Sequence, residues 1–493
     1  MQNLTIAAEP LRFKIALDPT LSEPGQAVSG RLLIFMTAKT KPLDVIEPDF
    51  LNPEAVFVSG IEITNLEPGK SIEINPDVLS FPKSFSAAPA GGYQVMALLD
   101  TNHSYTYDGM GEGDLYSNVV KINLPIANTV QELILNEKVP GKTMAVPENV
   151  KFINFESPAL SAFWGRPIIM KASVVLPPNY DKSKSETYPT VYNVHGYGGN
   201  HLGPLRGVSE MQVAMSAGKR PEMIYVYLNA NNSLGHHVFA DSANNGPWGR
   251  ALTTELIPYL EKQFRMDAKV SGRFLTGHSS GGWSTLWLQV NYPDVFGGTW
   301  STSPDPVDFH SFTGPDLTLS TPQNFFHGAD GKPYNLIRDQ GKDIMSFEEY
   351  ARLERATGYY GGQLASFEAV FSPKGDDGQP MTLFDRDTGR IDPIVQKAWG
   401  KYDISRILQD NWKTLEPKLK GKIHIVVGTA DTFHLDEAVR LLDAKLKALG
   451  SDAKIEYIEG RTHFDLYRDG LSDRIANEMY AIARPKAKIA ATK

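Results

Sequence analysis

The chain has 493 residues, with 49 basic and 57 acidic side chains for a net charge of −8; 41% of residues are hydrophobic and 22% charged. That balance supplies a sizeable core and, by length, two or three domains, and it excludes disorder, collagen and coiled coil as descriptions of the whole. Zero cysteines exclude disulfides, thiolate zinc sites and a cysteine nucleophile, and the acidic balance argues against a dedicated nucleic-acid binder. No run approaches the roughly 18 apolar residues of a membrane-spanning helix. The start, Met1-Gln2-Asn3-Leu4, lacks the basic and apolar regions of a secretory leader. Its Gln-Asn-Leu-Thr reads as the start of a trimmed chain, so the expectation is an exported protein, periplasmic or secreted, ahead of a cytoplasmic one.

Residues 1–125 are expected to be all β. Short β-prone runs at 11–17, 30–36, 55–63, 92–99 and 117–124 alternate with turn clusters such as Glu-Pro-Gly, which predicts a β-sandwich. Residues 126–150 read as a linker. From 151 the pattern changes to short apolar strands (168–176, 190–194, 224–228, 273–276, 298–301, 423–427 and 454–458) separated by helices at 250–264, 281–291 and 435–449. Alternating βα units imply a doubly wound, mostly parallel sheet, expected over 151–484. Residues 303–420, rich in Pro, Gly and Asp with helical pieces at 346–356 and 405–412, read as an insertion over the carboxyl edge of that sheet. Within it, 384–391 has the glycine one place early for a calcium loop and is expected to be a tight turn. Residues 485–493 read as a tail.

Gly277-His278-Ser279-Ser280-Gly281 matches G-x-S-x-G. About 0.2 matches are expected by chance, so context decides; here a strand precedes the motif and a helix follows, as a nucleophile elbow requires. The turn is too tight for side chains at its two glycine positions, and it presents the Ser279 hydroxyl at a helix N-terminus. His195-Gly196-Tyr197-Gly198-Gly199, directly after the strand at 190–194, has a chance expectation of only about 0.01. Such a loop supplies one oxyanion donor, Tyr197 or Gly198, and the residue after the nucleophile, Ser280, supplies the other. A serine hydroxyl needs a base and the base an orienting acid, in the chain order Ser, acid, His. His463, past the strand at 454–458, fits the base, with His434 as rival. Asp431, past the strand at 423–427, fits the acid, with Asp305 as runner-up. Trp248, Trp283 and His195 are candidates to line the substrate, although Trp248 reads equally as a structural anchor and Trp283, inside the helix after the elbow, reads more often as core.

These residues resemble the esterase D-like family of α/β-hydrolases. The resemblance rests on Tyr188-Pro-Thr-Val-Tyr-Asn-Val-His-Gly-Tyr-Gly-Gly, on Glu255-Leu-Ile-Pro-Tyr-Leu, on the Ser279 elbow and on the Asp431/His463 pair. It implies an α/β-hydrolase preceded by a small β domain, as in enterochelin esterase-like members. It also implies cleavage of small-molecule or saccharide-linked esters, feruloyl, carbohydrate or siderophore esters among them, with no metal or organic cofactor. An acyltransferase on the same triad, a serine peptidase and a binding protein on a hydrolase scaffold are the alternatives.

Overall fold

The computed structural model describes residues 11–486 apart from 22–24, 126–129, 142–145, 183–184, 322 and 359. The expectations for residues 1–4 and for most of the tail lie outside these. The chain divides into two compact units, one of Met1–Thr143 with Ile344–Leu364, the other of Met144–Asp343 with Ala365–Lys493.

The described N-terminal residues of the first unit build one nine-stranded sheet rather than two separate sheets, eight strands in a single hydrogen-bonded path and the ninth, Val120–Leu124, paired off it to Gly91–Asp100, with short helical turns such as Tyr105–Asp108 between strands. Alternate residues, among them Phe13, Ile15, Leu32, Ile34, Val95, Ala97, Leu133 and Leu135, turn into one apolar core. One strand was not expected. Val130–Lys138 lies in the stretch read as linker, yet it runs parallel to Arg12–Leu17. Its buried Leu133 and Leu135 alternate with charged or exposed neighbours, and in sequence the charges hide the period-two signal.

The helix expected near 346–356 forms as Phe347–Thr357, opened by a capping box between Ser346 and Glu349. It belongs to the first unit, although it is inserted in the chain of the second. Arg31 donates from Nη2 to the carbonyls of Arg355 (2.6 Å) and Ala356 (3.1 Å) at its C-terminal end. A Cβ on Gly60 would lie 1.8 Å from the Ala356 oxygen, so only glycine admits this helix against the strand Val56–Leu66.

The second unit is organised by an eight-stranded sheet. Its strands are β1 (Val150–Glu156), β2 (Ile169–Val175), β3 (Thr190–Val194), β4 (Ile224–Leu228), β5 (Arg273–His278), β6 (Gly298–Thr302), β7 (Ile423–Gly428) and β8 (Lys454–Ile458). The spatial order is β1-β2-β4-β3-β5-β6-β7-β8. β1 and β2 are antiparallel to their neighbours and all later pairings are parallel. Residues alternate between the two faces: Tyr192 and Val194 join Leu252, Leu256 and Leu260 on one side, while Val191 and Phe274 join Met211, Met215, Ile475 and Met479 on the other. Both faces are therefore covered, which is why these strands read as continuous apolar runs. The helix expected at 250–264 contains a π turn at Leu252–Leu256 just ahead of Pro258, whose missing N–H makes a break in the helical ladder inexpensive there.

The inserted residues that remain in this unit carry their own aromatic core. Phe309, Phe312, Phe371 and Trp399 pack at centroid distances of 5.1 to 6.4 Å. Residues 384–391 form a tight turn, with Phe384 bridged to Ile391 and Asp385 Oδ1 accepting the Thr388 N–H at 2.8 Å.

Candidate active site

The carboxyl ends of β3, β5, β6, β7 and β8 meet at one edge, the place where a parallel sheet leaves a crevice. At the end of β5, Ser279 has φ +60° and ψ −130°, a conformation costly for any residue with a side chain and held only by surrounding structure. Its neighbours explain the glycines. A Cβ on Gly277 would lie 2.3 Å from the Gly281 oxygen, and one on Gly281 would lie 2.2 Å from the Val194 oxygen. The helix Ser280–Asn291 starts immediately after the serine, so the Ser280 amide is one of those a helix leaves without an internal acceptor.

His463 and Asp431 are built as a pair. Asp431, fully buried after β7, accepts the His463 Nδ1–H at Oδ2 (2.9 Å). Its other oxygen accepts the N–H of Phe433 at 3.0 Å and of Leu435 at 3.4 Å. The same carboxylate thus holds the imidazole and caps the first turn of the helix Leu435–Ala448. Burial pushes the Asp431 carboxyl up, but His463, the Phe433 N–H and the Ser303 hydroxyl outweigh it and hold the group below the usual carboxylate range. The rival His434 starts that helix and lies 3.5 Å from Glu437.

A second histidine, whose catalytic neighbourhood was not foreseen, braces the first. The His278 ring packs against His463 with centroids 4.3 Å apart and planes tilted by 41°, and its Nε2 lies 3.0 Å from the His463 carbonyl. A carbonyl only accepts, so Nε2 carries the proton. Burial, reinforced by the His463 charge, depresses His278 to about 3, and it stays neutral beside the base. The sequence placed His278 next to the nucleophile but contained no signal of this bond to a residue 185 positions away.

The nucleophile side is closed on itself. Ser279 Oγ donates to Asp305 Oδ1 at 3.3 Å, and among the described residues no hydrogen bond joins it to His463. The Tyr197 N–H donates to Ser280 Oγ at 2.8 Å. Gly198 takes φ +75°, and a Cβ on Gly196 would press at 3.3 Å on the Ser279 Cβ.

The three expected substrate contacts take the following places. His195 donates from Nδ1 to the Gly196 carbonyl (2.7 Å) and accepts the Ala230 N–H at Nε2 (2.9 Å), so both ring nitrogens shape the loop. Burial lowers it to about 4. Trp248 is buried and stacked on His237 at 3.6 Å. Trp283 is buried between Trp287 and Phe371, each at 5.1 Å, where it ties the nucleophile helix to the insertion. Among the described residues one set of possible cation ligands converges: Asp308, His310 and Asp403, within 4.8 Å of one another. Asp308 already accepts from His310 Nδ1 at 2.6 Å, and Asp403 caps the helix Ile404–Leu419. Burial and the Asp308 charge push Asp403 up to about 6. No helix among the described residues is long and apolar enough to cross a membrane.

The strand order, with β2 alone running against the other seven strands and a strand–turn–helix at β5, defines an α/β-hydrolase. Residues 167–468, more than half of the chain, match the family described as "Putative esterase", and the protein belongs to that family. A stretch of 174 residues is 28% identical to an endo-1,4-beta-xylanase/feruloyl esterase of Xylanibacter ruminicola, covering 32% of this chain and only 23% of that protein. Among solved structures, a ferulic acid esterase aligns over 68% of this chain and 98% of its own, with TM-score 0.43 and 14% identity. An S-formylglutathione hydrolase from Agrobacterium tumefaciens aligns over 68% and 94%, with TM-score 0.40 and 13% identity.

Proposed function

We propose that this protein is a serine hydrolase that cleaves carboxylic esters through an acyl-enzyme. The hydroxyl of Ser279 turns from Asp305 toward His463, gives up its proton to that imidazole and attacks the acyl carbon. Asp431 holds the correct tautomer and stabilises the imidazolium that forms. The amides of Ser280 and Tyr197 or Gly198 receive the oxyanion, and the Tyr197 N–H exchanges the Ser280 hydroxyl for it. The imidazolium protonates the departing alkoxide, and water, activated by the same histidine, then releases the acid. Metal and organic cofactors have no part in this scheme.

The observation that carries this reading is the 2.9 Å Asp431–His463 bond, buried and packed against the residue that precedes Ser279. The substrate panel takes a feruloyl ester from the activity named for the 28%-identical relative and adds acetyl, butyryl and catecholate esters, with saccharide-linked esters foremost. A fluorophosphonate adduct on Ser279 with turnover of one of these is the expected result. No adduct, or turnover retained by Ser279→Ala, refutes the reading. Adding an acceptor alcohol and measuring its acylation separates hydrolysis from acyl transfer.

A further inference from the structure

We infer that Phe433 and Phe464 form a platform for the alcohol half of the ester, and that it selects alcohols presenting a flat ring face. The inference rests on the esterase reading above. Both rings come from the two loops that deliver the acid and the base. Phe433 follows Asp431 by two residues and its N–H is tied to that carboxylate at 3.0 Å, while Phe464 directly follows His463. Against His463 the Phe433 ring stands edge-on at 4.8 Å and 87°, and the Phe464 ring at 5.4 Å and 82°. The two phenyl rings are 5.9 Å apart at 72°. His463 itself is 4% exposed, but Phe464 is 58% exposed and Phe433 is half-buried. Aromatic surface therefore rims the base where solvent reaches it.

The chemistry says which half of the substrate meets that rim. When the acyl-enzyme forms, the Ser279 Oγ–acyl carbon bond is made and the acyl carbon–alkoxide oxygen bond breaks. The proton taken from Ser279 passes from His463 to the alkoxide, and the neutral alcohol leaves. The alcohol oxygen must thus approach the imidazole, while the acyl half lies toward Ser279 and the oxyanion amides. A ring that contacts His463 and remains open to solvent meets the alcohol. Phenyl rings offer a flat apolar surface with an electron-rich face, which suits the C–H face of a pyranose or another aromatic ring and gives little to a short-chain alcohol.

The test compares acetate esters of methanol, methyl β-xyloside and phenol, so the acyl half is constant. Exposed Phe464 is changed to Ala and to Trp, and Phe433 to Leu with its melting temperature checked. For Phe464→Ala, kcat/KM should fall about five- to tenfold on ring alcohols, through KM, and stay within about twofold on methyl acetate. Phe464→Trp should retain the wild-type pattern, and Phe433→Leu should follow the alanine variant. A selective loss on the xyloside identifies a saccharide occupant, and one on the phenyl ester an aryl occupant; either supports the platform. An equal loss on all three esters, or none, overturns it while leaving the esterase reading intact. Failure of the wild type to hydrolyse any of them, together with an unlabelled Ser279, overturns both.

Discussion

The two sides of the candidate site are built differently. On the β7–β8 side, the proposed acid and base are already engaged: Asp431 accepts from His463, and neutral His278 donates to the histidine's carbonyl. On the β3–β5 side, the groups that would meet substrate are turned on each other, Ser279 on Asp305 and the Tyr197 amide on the Ser280 hydroxyl. Buried or half-buried polar groups need partners. Groups whose partners are other triad members keep their geometry with or without substrate. Groups whose partner is the substrate borrow a neighbour until it arrives. On the proposed mechanism, one half of the machinery is preorganised and the other is completed by binding.

Substitutions can break that contrast. The largest effect should come from Ser279→Ala and His463→Ala, each lowering kcat by about 10⁴-fold or more with little change in melting temperature. His434→Ala should stay within about tenfold, and a reversal between the two histidines would reassign the base. Next comes the choice of acid. Asp431→Asn should cost about 10³- to 10⁴-fold by favouring the wrong tautomer, whereas Asp305→Asn should cost less than about tenfold, because Asn still accepts the resting serine proton. Equal losses would put Asp305 in the triad.

A smaller effect sharpens the comparison. His278→Leu should lower kcat about tenfold by removing one hydrogen bond that aims the base, with His278→Gln restoring much of it. Because His278 is depressed to about 3, the acid limb of the kcat/KM profile should have slope one; slope two would mean that His278 titrates with the base. The smallest effect is on stability, at another buried carboxylate. Asp431 accepts a hydrogen bond from His463 and is depressed, while Asp403 faces Asp308 and is raised to about 6. A carboxyl raised in the folded state favours folding while protonated and loses that advantage as pH rises from about 4 through 6. Asp403→Asn should therefore match wild type near pH 4 and exceed it by about 1–3 kcal/mol at pH 8, measured by denaturant unfolding. An unchanged difference across that range would show that Asp403 does not titrate there.

Much of this was legible in the residues, and the misses share a cause. The buried strands, the elbow and the acid–base order are local patterns: an apolar run, two glycines that backbone contact forbids to be anything else, one βα step between Asp431 and His463. Trp248 and Trp283 could be read as pocket or core because burial depends on what packs opposite, and Trp283 faces Phe371, a partner 88 residues further along the insertion. The strand Val130–Lys138 was hidden because its charged residues faced outward and its parallel partner lies over a hundred residues earlier. The sequence by itself determined the strands, the turn at Ser279 and the order in which the sheet presents the candidate residues, because strand–turn–helix geometry is a short-range property. Only the tertiary structure decided which neighbours those residues keep: His278 under His463, Asp305 on Ser279, the helix Phe347–Thr357 in the unit formed by the front of the chain. Such contacts are set by how distant elements pack, and no local pattern encodes them.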